Sequence, residues 1–202
     1  MLSMVFMRPW HNSMKTLASV LLIPGLFNSG PEHWQSLWQR KHPEYHRVEQ
    51  TDWETPHCTD WVQTLHASIC SIGNGPVVLA GHSLGCATIA HYAAKHADCQ
   101  GRVAAAFLVA PSDVEAPTYP PGSTGFNPIP LQKLPFRSVV VASADDPYLT
   151  PERAEFFARC WGSRLIKIAK AGHINAASGY GQWPEGEALI EQLREIRTQR
   201  RR

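Results

Sequence analysis

Apolar positions along the chain fall into short unbroken runs, separated by longer stretches in which apolar residues recur every three or four positions. The runs at 18–23, 77–80, 103–109, 137–142 and 164–168 have the length of strands buried on both faces, and a weaker run covers 47–50. Between them the helical period is clear. A helix is predicted from Pro31-Glu32, with Trp34, Leu37 and Trp38 on one face, and Thr59 or Asp60 can cap a second that runs to about Ile72. An Ala-rich helix follows residue 83, and Thr150-Pro151-Glu152-Arg153 opens another. The last, at 184–196, carries Leu189, Ile190, Leu193 and Ile196 inward. Strand–helix alternation of this kind predicts an α/β fold with a mainly parallel central sheet flanked by helices. The Pro-, Gly- and Ser-rich stretch at 115–135 has no period and is too short for more than a small lid.

Length and charge narrow the picture. The 202 residues suit one domain over 16–202, with residues 1–15 expected to be a disordered extension or to lie upstream of a true start at Met14. A lysine and an apolar run after Met14 echo a signal peptide. That run ends at Pro24-Gly25 without a small-x-small cleavage site and reads better as the first strand. The net charge of +2, with no basic stripe among aromatics, excludes nucleic acid as the implied partner, and the Arg197–Arg202 tail reads as a frayed helix end. Five cysteines (Cys58, Cys70, Cys86, Cys99, Cys160) contain no C-x-x-C, which argues against a disulfide framework and a zinc site. Free thiols suit a reducing, cytoplasmic setting, and Cys86 reads as a small core residue. No run is long enough to span a bilayer as a helix.

The chemistry is concentrated after the run at 77–80, where Gly81-His82-Ser83-Leu84-Gly85 leads straight into the Ala-rich helix. Strand, G-x-S-x-G, helix is the sequence form of a nucleophile elbow. A serine lifted above a sheet edge needs a very tight turn, and Gly81 and Gly85 lack the Cβ atoms that would strike the neighbouring strand and helix. Ser83 then stands at the positive end of a helix, beside the N–H of Leu84. Parallel sheets place their sites at the carboxyl ends of strands. Two further strand ends offer what a serine hydroxyl requires, a base and an acid to orient that base. His173 follows the last strand and a glycine. Among the other histidines, His82 within the elbow reads as packing directed away from the hydroxyl. The pair His42 and His46 is spoiled as a helical metal site by Pro43, and His91 and His96 fall on the far side of the elbow helix. For the acid, Asp146 comes first because the following proline biases it to an extended conformation; Asp145 and Asp113 are the alternatives. The order Ser…Asp…His is that expected of α/β-hydrolases. Pro24-Gly25-Leu26, after the first strand, offers the N–H of Leu26 as a second oxyanion donor beside Leu84. The seven tryptophans read as core residues.

The segments LLIPGLFNSGPEHW, GHSLG, DDPYLT and AGHINAASGYGQWPEG together resemble the retinoblastoma-binding-protein/YdeN family of small serine hydrolases, over nearly the whole chain from about Thr16. The resemblance implies a compact α/β-hydrolase with little or no lid. It also implies Ser83 as nucleophile, His173 as base and the aspartate directly before the proline, Asp146, as acid. No Leu-x-Cys-x-Glu occurs, so the pocket-protein binding in the family's name does not carry over. The expected function is hydrolysis of a small carboxylic ester or similar acyl substrate without metal or cofactor. A thioesterase or acyltransferase would use the same residues, and a non-catalytic binding module on the same scaffold is the alternative from another class.

Overall fold

A computed structural model describes residues 15–96 and 101–197. Residues 1–14 of the proposed extension, the basic tail beyond residue 197 and Cys99 lie outside the described residues, whereas Lys15 and Arg197, expected in the extension and in a helix end, are paired as strand residues. Six strands form one wholly parallel sheet in the order β3 (Tyr45–Arg47), β2 (Ser19–Ile23), β4 (Val77–His82), β5 (Val103–Val109), β6 (Arg137–Ser143), β7 (Arg164–Ile168). The short strand therefore sits two residues earlier than the 47–50 expected from pattern. It pairs Tyr45, His46 and Arg47 with Val20, Leu21 and Leu22, leaving Val48 free to turn into the core.

Both faces of the sheet are covered, which is why its strands read as continuous apolar runs. Alternate residues serve opposite cores. Leu21, Ile23, Leu79, Leu108 and Val140 pack with α2 (Cys58–Ser71), α3 (Leu84–Lys95) and α4 (Pro151–Trp161). Val20, Leu22, Val78, Phe107 and Val141 pack with α1 (Trp34–Lys41) and α5 (Pro184–Arg194). Trp34, Trp38, Phe107 and Trp183 form one aromatic cluster in the second core, with ring centroids 4.5–6.4 Å apart. Burying each such side chain is worth about 2–3 kcal/mol, so these rings serve packing.

Helix ends differ from expectation at three places. α2 begins at Cys58, after His57, whose side chain makes no cap hydrogen bond, so neither Thr59 nor Asp60 caps it. The first helix begins at Trp34, because His33 rather than Pro31 closes its N-terminus: its Nδ1 accepts the Gln35 N–H at 3.2 Å. The last helix stops at Arg194, and Glu195–Arg197 continues as β8, antiparallel to β1 (Lys15–Leu17). The buried Arg194 explains the stop. Its Nε donates to Ala18 O at 2.8 Å while the Ala18 N–H donates to Arg194 O at 3.0 Å, which clamps the two chain segments together. Ile196 is accordingly half-buried against the second core from a strand, not from a helix.

The 115–135 stretch is stitched down rather than raised as a lid. Phe126, Ile129 and Leu134 are buried, and Trp161 Nε1 donates to Pro130 O at 2.8 Å. Among the described residues no helix is long and apolar enough to cross a membrane.

Candidate active site

β4 ends in a backbone that few residues adopt. Ser83 has φ 55° and ψ −122°, a conformation that costs a non-glycine residue about 1–3 kcal/mol and persists only where its surroundings impose it. The imposition is visible in the glycines. A Cβ on Gly85 would lie 2.2 Å from Ile23 O and 2.8 Å from Pro24 O; one on Gly25 would lie 2.6 Å from the Ser83 Cβ. The end of β2 therefore presses against the elbow, and the Pro24-Gly25-Leu26 turn crosses directly over Ser83. Ser83 also donates its N–H to Val109 O at 3.0 Å, tying the elbow to β5.

That turn is itself fixed in place. Phe27 and Asn28 both have positive φ (65° and 64°), the Phe27 N–H donates to Trp53 O at 2.8 Å, and Arg47 grips the Asn28 side chain at 2.6 Å. Leu84 follows Ser83 directly at the start of α3, and Leu26 follows Gly25, whose Cβ position lies 3.1 Å from Ser83 Oγ, so both residues belong to backbone that adjoins the serine. Backbone amides beside a serine at a helix N-terminus can hold a developing negative charge.

The two adjacent aspartates after β6 have separate duties. Asp146 faces His173, whose Nδ1 lies 2.9 Å from both carboxylate oxygens, and its Oδ1 also accepts the Tyr148 N–H at 2.9 Å. Both residues are more than nine-tenths buried. With Nδ1–H donated to the carboxylate, Nε2 is left with the lone pair that can take a proton. Asp145 instead anchors the loop's backbone: its Oδ1 accepts the N–H groups of Ala171 and Gly172 at 3.0 and 2.8 Å and the Ser143 hydroxyl at 2.6 Å. Those donors, the Ser143 hydroxyl foremost, hold its carboxyl below the usual aspartate range. Asp113, the third candidate, is taken up by Arg153, at 2.7 and 2.9 Å.

Three residues in this region do more than sequence assigned them, which was packing for His82 and nothing for the other two. His82 does pack, but it also donates from Nε2 to the His173 carbonyl at 2.9 Å, with ring centroids 4.8 Å apart, so it holds the histidine loop. His33 packs edge-on to His82 at 4.6 Å. Burial, reinforced by Arg47 and His173, lowers its pKa to about 3, and burial likewise drives His82 well below the ordinary histidine value. The third is Ser112, just beyond β5, whose hydroxyl lies 2.7 Å from Ser83 Oγ. The strand-end logic that singled out Asp113 applies equally to its neighbour. Nothing in the chain's spacing reveals the His33–His82 contact.

A parallel sheet with helices on both faces, a strained serine after β4 and an aspartate–histidine pair beyond the ends of β6 and β7 define the α/β-hydrolase fold. The chain belongs to the serine hydrolase family, whose model matches residues 20–192. It is 30% identical to a YdeN-like hydrolase from Pectobacterium atrosepticum over 88% of this chain and 90% of that one, with a TM-score of 0.77. The ydeN gene product of Bacillus subtilis shares the fold at 17% identity and a TM-score of 0.64, over 87% of this chain and 98% of that one. So does the carboxylesterase CesB of B. subtilis, at 13% identity and a TM-score of 0.59, over 86% and 82%. No curated protein matches the chain. The resemblance drawn from the four sequence segments thus holds at the level of the family, and the chain is a hydrolase.

Proposed function

We propose that the protein is an esterase-type serine hydrolase that cleaves a small carboxylic ester through a Ser83–His173–Asp146 triad and an acyl-enzyme. The observation that carries this reading is the buried His173–Asp146 pair, 2.9 Å apart, beside a serine held in a left-handed backbone. Ser83 turns its hydroxyl to His173 Nε2 and attacks the carbonyl carbon. The proton passes to His173, and Asp146 stabilises the imidazolium. The N–H groups of Leu26 and Leu84 receive the oxyanion, whose stabilisation by one such donor is worth about 10²–10³ in rate. The alcohol leaves with the proton, and water, activated by His173, releases the acid. Apart from substrate and water, every participant is a side chain or amide of this chain, so the reaction as proposed uses no metal or cofactor. Because loop 115–135 is bound down on the protein, the substrate is a small or solvent-exposed acyl compound. The fold likeness to a carboxylesterase agrees with ester chemistry.

Ser83→Ala is expected to abolish hydrolysis of p-nitrophenyl acetate and labelling by a fluorophosphonate probe while leaving the melting temperature within a few degrees. Undiminished turnover by that variant, or no labelling of the folded wild-type protein, would refute the assignment.

A further inference from the structure

The nucleophile has a partner that the triad scheme leaves idle. Ser112 Oγ lies 2.7 Å from Ser83 Oγ and is only 2% exposed. The segment that carries it is held at several points. Ala110 sits at φ 46° with its N–H on Val141 O at 2.8 Å, and the Ser112 N–H faces Ser83 O at 3.5 Å. The Asp113 N–H donates to Tyr148 O at 3.0 Å, and Arg153 clamps the Asp113 carboxylate from α4. A left-handed alanine and a clamped aspartate on either side of one buried hydroxyl are a costly way to satisfy a polar group. They are a good way to fix it against a reacting atom.

We propose that Ser112 is a further catalytic residue, whose hydroxyl donates to Ser83 Oγ and stabilises the charge on that oxygen in both half-reactions; this rests on Ser83 being the nucleophile. When the Ser83 proton is directed at His173 Nε2, the Oγ lone pairs are left for Ser112, so Ser112 is the donor of the pair. In acylation the Oγ–H bond breaks, its proton goes to His173, Oγ bonds to the carbonyl carbon and the carbonyl electron pair moves to the oxyanion; the pair then returns, the carbon–alkoxy bond breaks and the alcohol leaves with the His173 proton. In deacylation water adds to that carbon as its proton goes to His173; the Oγ–C bond then breaks and Oγ recovers a proton from His173. Charge builds on Oγ before it bonds and as it leaves. A donor to a neutral hydroxyl also dampens its nucleophilicity. Hydrogen bonds to a charged oxygen are roughly twice as strong, so the net gain falls on the transition state.

Ser112→Ala and Ser112→Thr in the full chain separate this role from packing. Three quantities are measured: the second-order rate of fluorophosphonate labelling, kcat and KM for p-nitrophenyl acetate, and the melting temperature. Ser112→Ala is expected to slow both labelling and kcat about 10- to 100-fold with KM within about twofold, and Ser112→Thr to recover most of the loss. Wild-type rates in Ser112→Ala, or faster labelling, would overturn the proposal while leaving Ser83 as nucleophile. So would a Ser112→Thr variant that melts like wild type yet is as slow as Ser112→Ala. A wild-type protein that takes no label would remove the underlying assignment instead.

Discussion

Gly85→Ala tests whether the elbow is held by the end of β2. Gly85 lies in α3, where alanine would ordinarily gain about 0.5–1 kcal/mol over glycine. Here the added Cβ meets Ile23 O at 2.2 Å, Pro24 O at 2.8 Å and Ile23 C at 2.9 Å. All three are backbone atoms with no rotamer to give, so β2 and α3 must part by about 1 Å to reach ordinary contact. Overpacking of this kind costs about 1–3 kcal/mol, and the rigid target puts this case at the upper end. Clash outweighs propensity, and a net loss of about 2 kcal/mol is expected. The displaced residues lead directly into Leu26, so the amide proposed as an oxyanion donor moves with them. A shift of about 1 Å at a reacting centre costs about 10²-fold in kcat. Urea unfolding and p-nitrophenyl acetate kinetics measure both effects, with Gly30→Ala, whose Cβ meets nothing within 4 Å, as the control. A Gly85→Ala protein as stable and as active as wild type would refute the reasoning.

Asp146→Asn should lower kcat by about 10⁴-fold by fixing the wrong His173 tautomer, with little change in KM; steady-state kinetics within tenfold of wild type would contradict the pairing seen at 2.9 Å. Asp145→Asn should act on stability instead. Its depressed carboxyl contributes stability present above the ordinary aspartate pKa and lost as pH falls through the lower folded value. Denaturant unfolding of the variant should therefore lose less stability than wild type on going to acid pH. His33 has the same sign for a different reason. An imidazole lowered from 6.5 to about 3 must take up a proton on unfolding, so stability falls between those pH values by up to about 1.4 kcal/mol per pH unit. His33→Asn, which keeps a capping side chain, should flatten that slope, and an unchanged slope would show that His33 is not held neutral.

The strand ends were readable because a parallel sheet leaves little choice. Each buried run had to be a strand, each strand had to end on the same edge, and Ser83, Asp146 and His173 each follow such an end by a few residues. The elbow glycines were readable because only glycine tolerates the contacts that Ile23 O and the Ile89 side chain make at Gly85 and Gly81. Local pattern also carried the start of α4, which Thr150 caps.

Other features depended on contacts between residues far apart in the chain. The β1–β8 ribbon joins the two ends of the described chain through Arg194 and Ala18, 176 positions apart, and three-residue segments carry no period to announce it. His33, an unremarkable residue in a Pro-Glu-His turn, became a helix cap and a buried neutral base once α1 was laid against His82. The two aspartates of Asp145-Asp146 are chemically alike in sequence. Only the approach of the Ala171–His173 loop gave one the backbone and the other the imidazole. Ser112 is likewise placed by proximity: β5 lies beside β4, and that adjacency brings its hydroxyl to Ser83 Oγ. Sequence alone determined which residue types stand at which strand ends, because burial and chain geometry act locally. Tertiary structure decided which of them touch, because a hydrogen bond needs two groups within about 3 Å, and only packing supplies that.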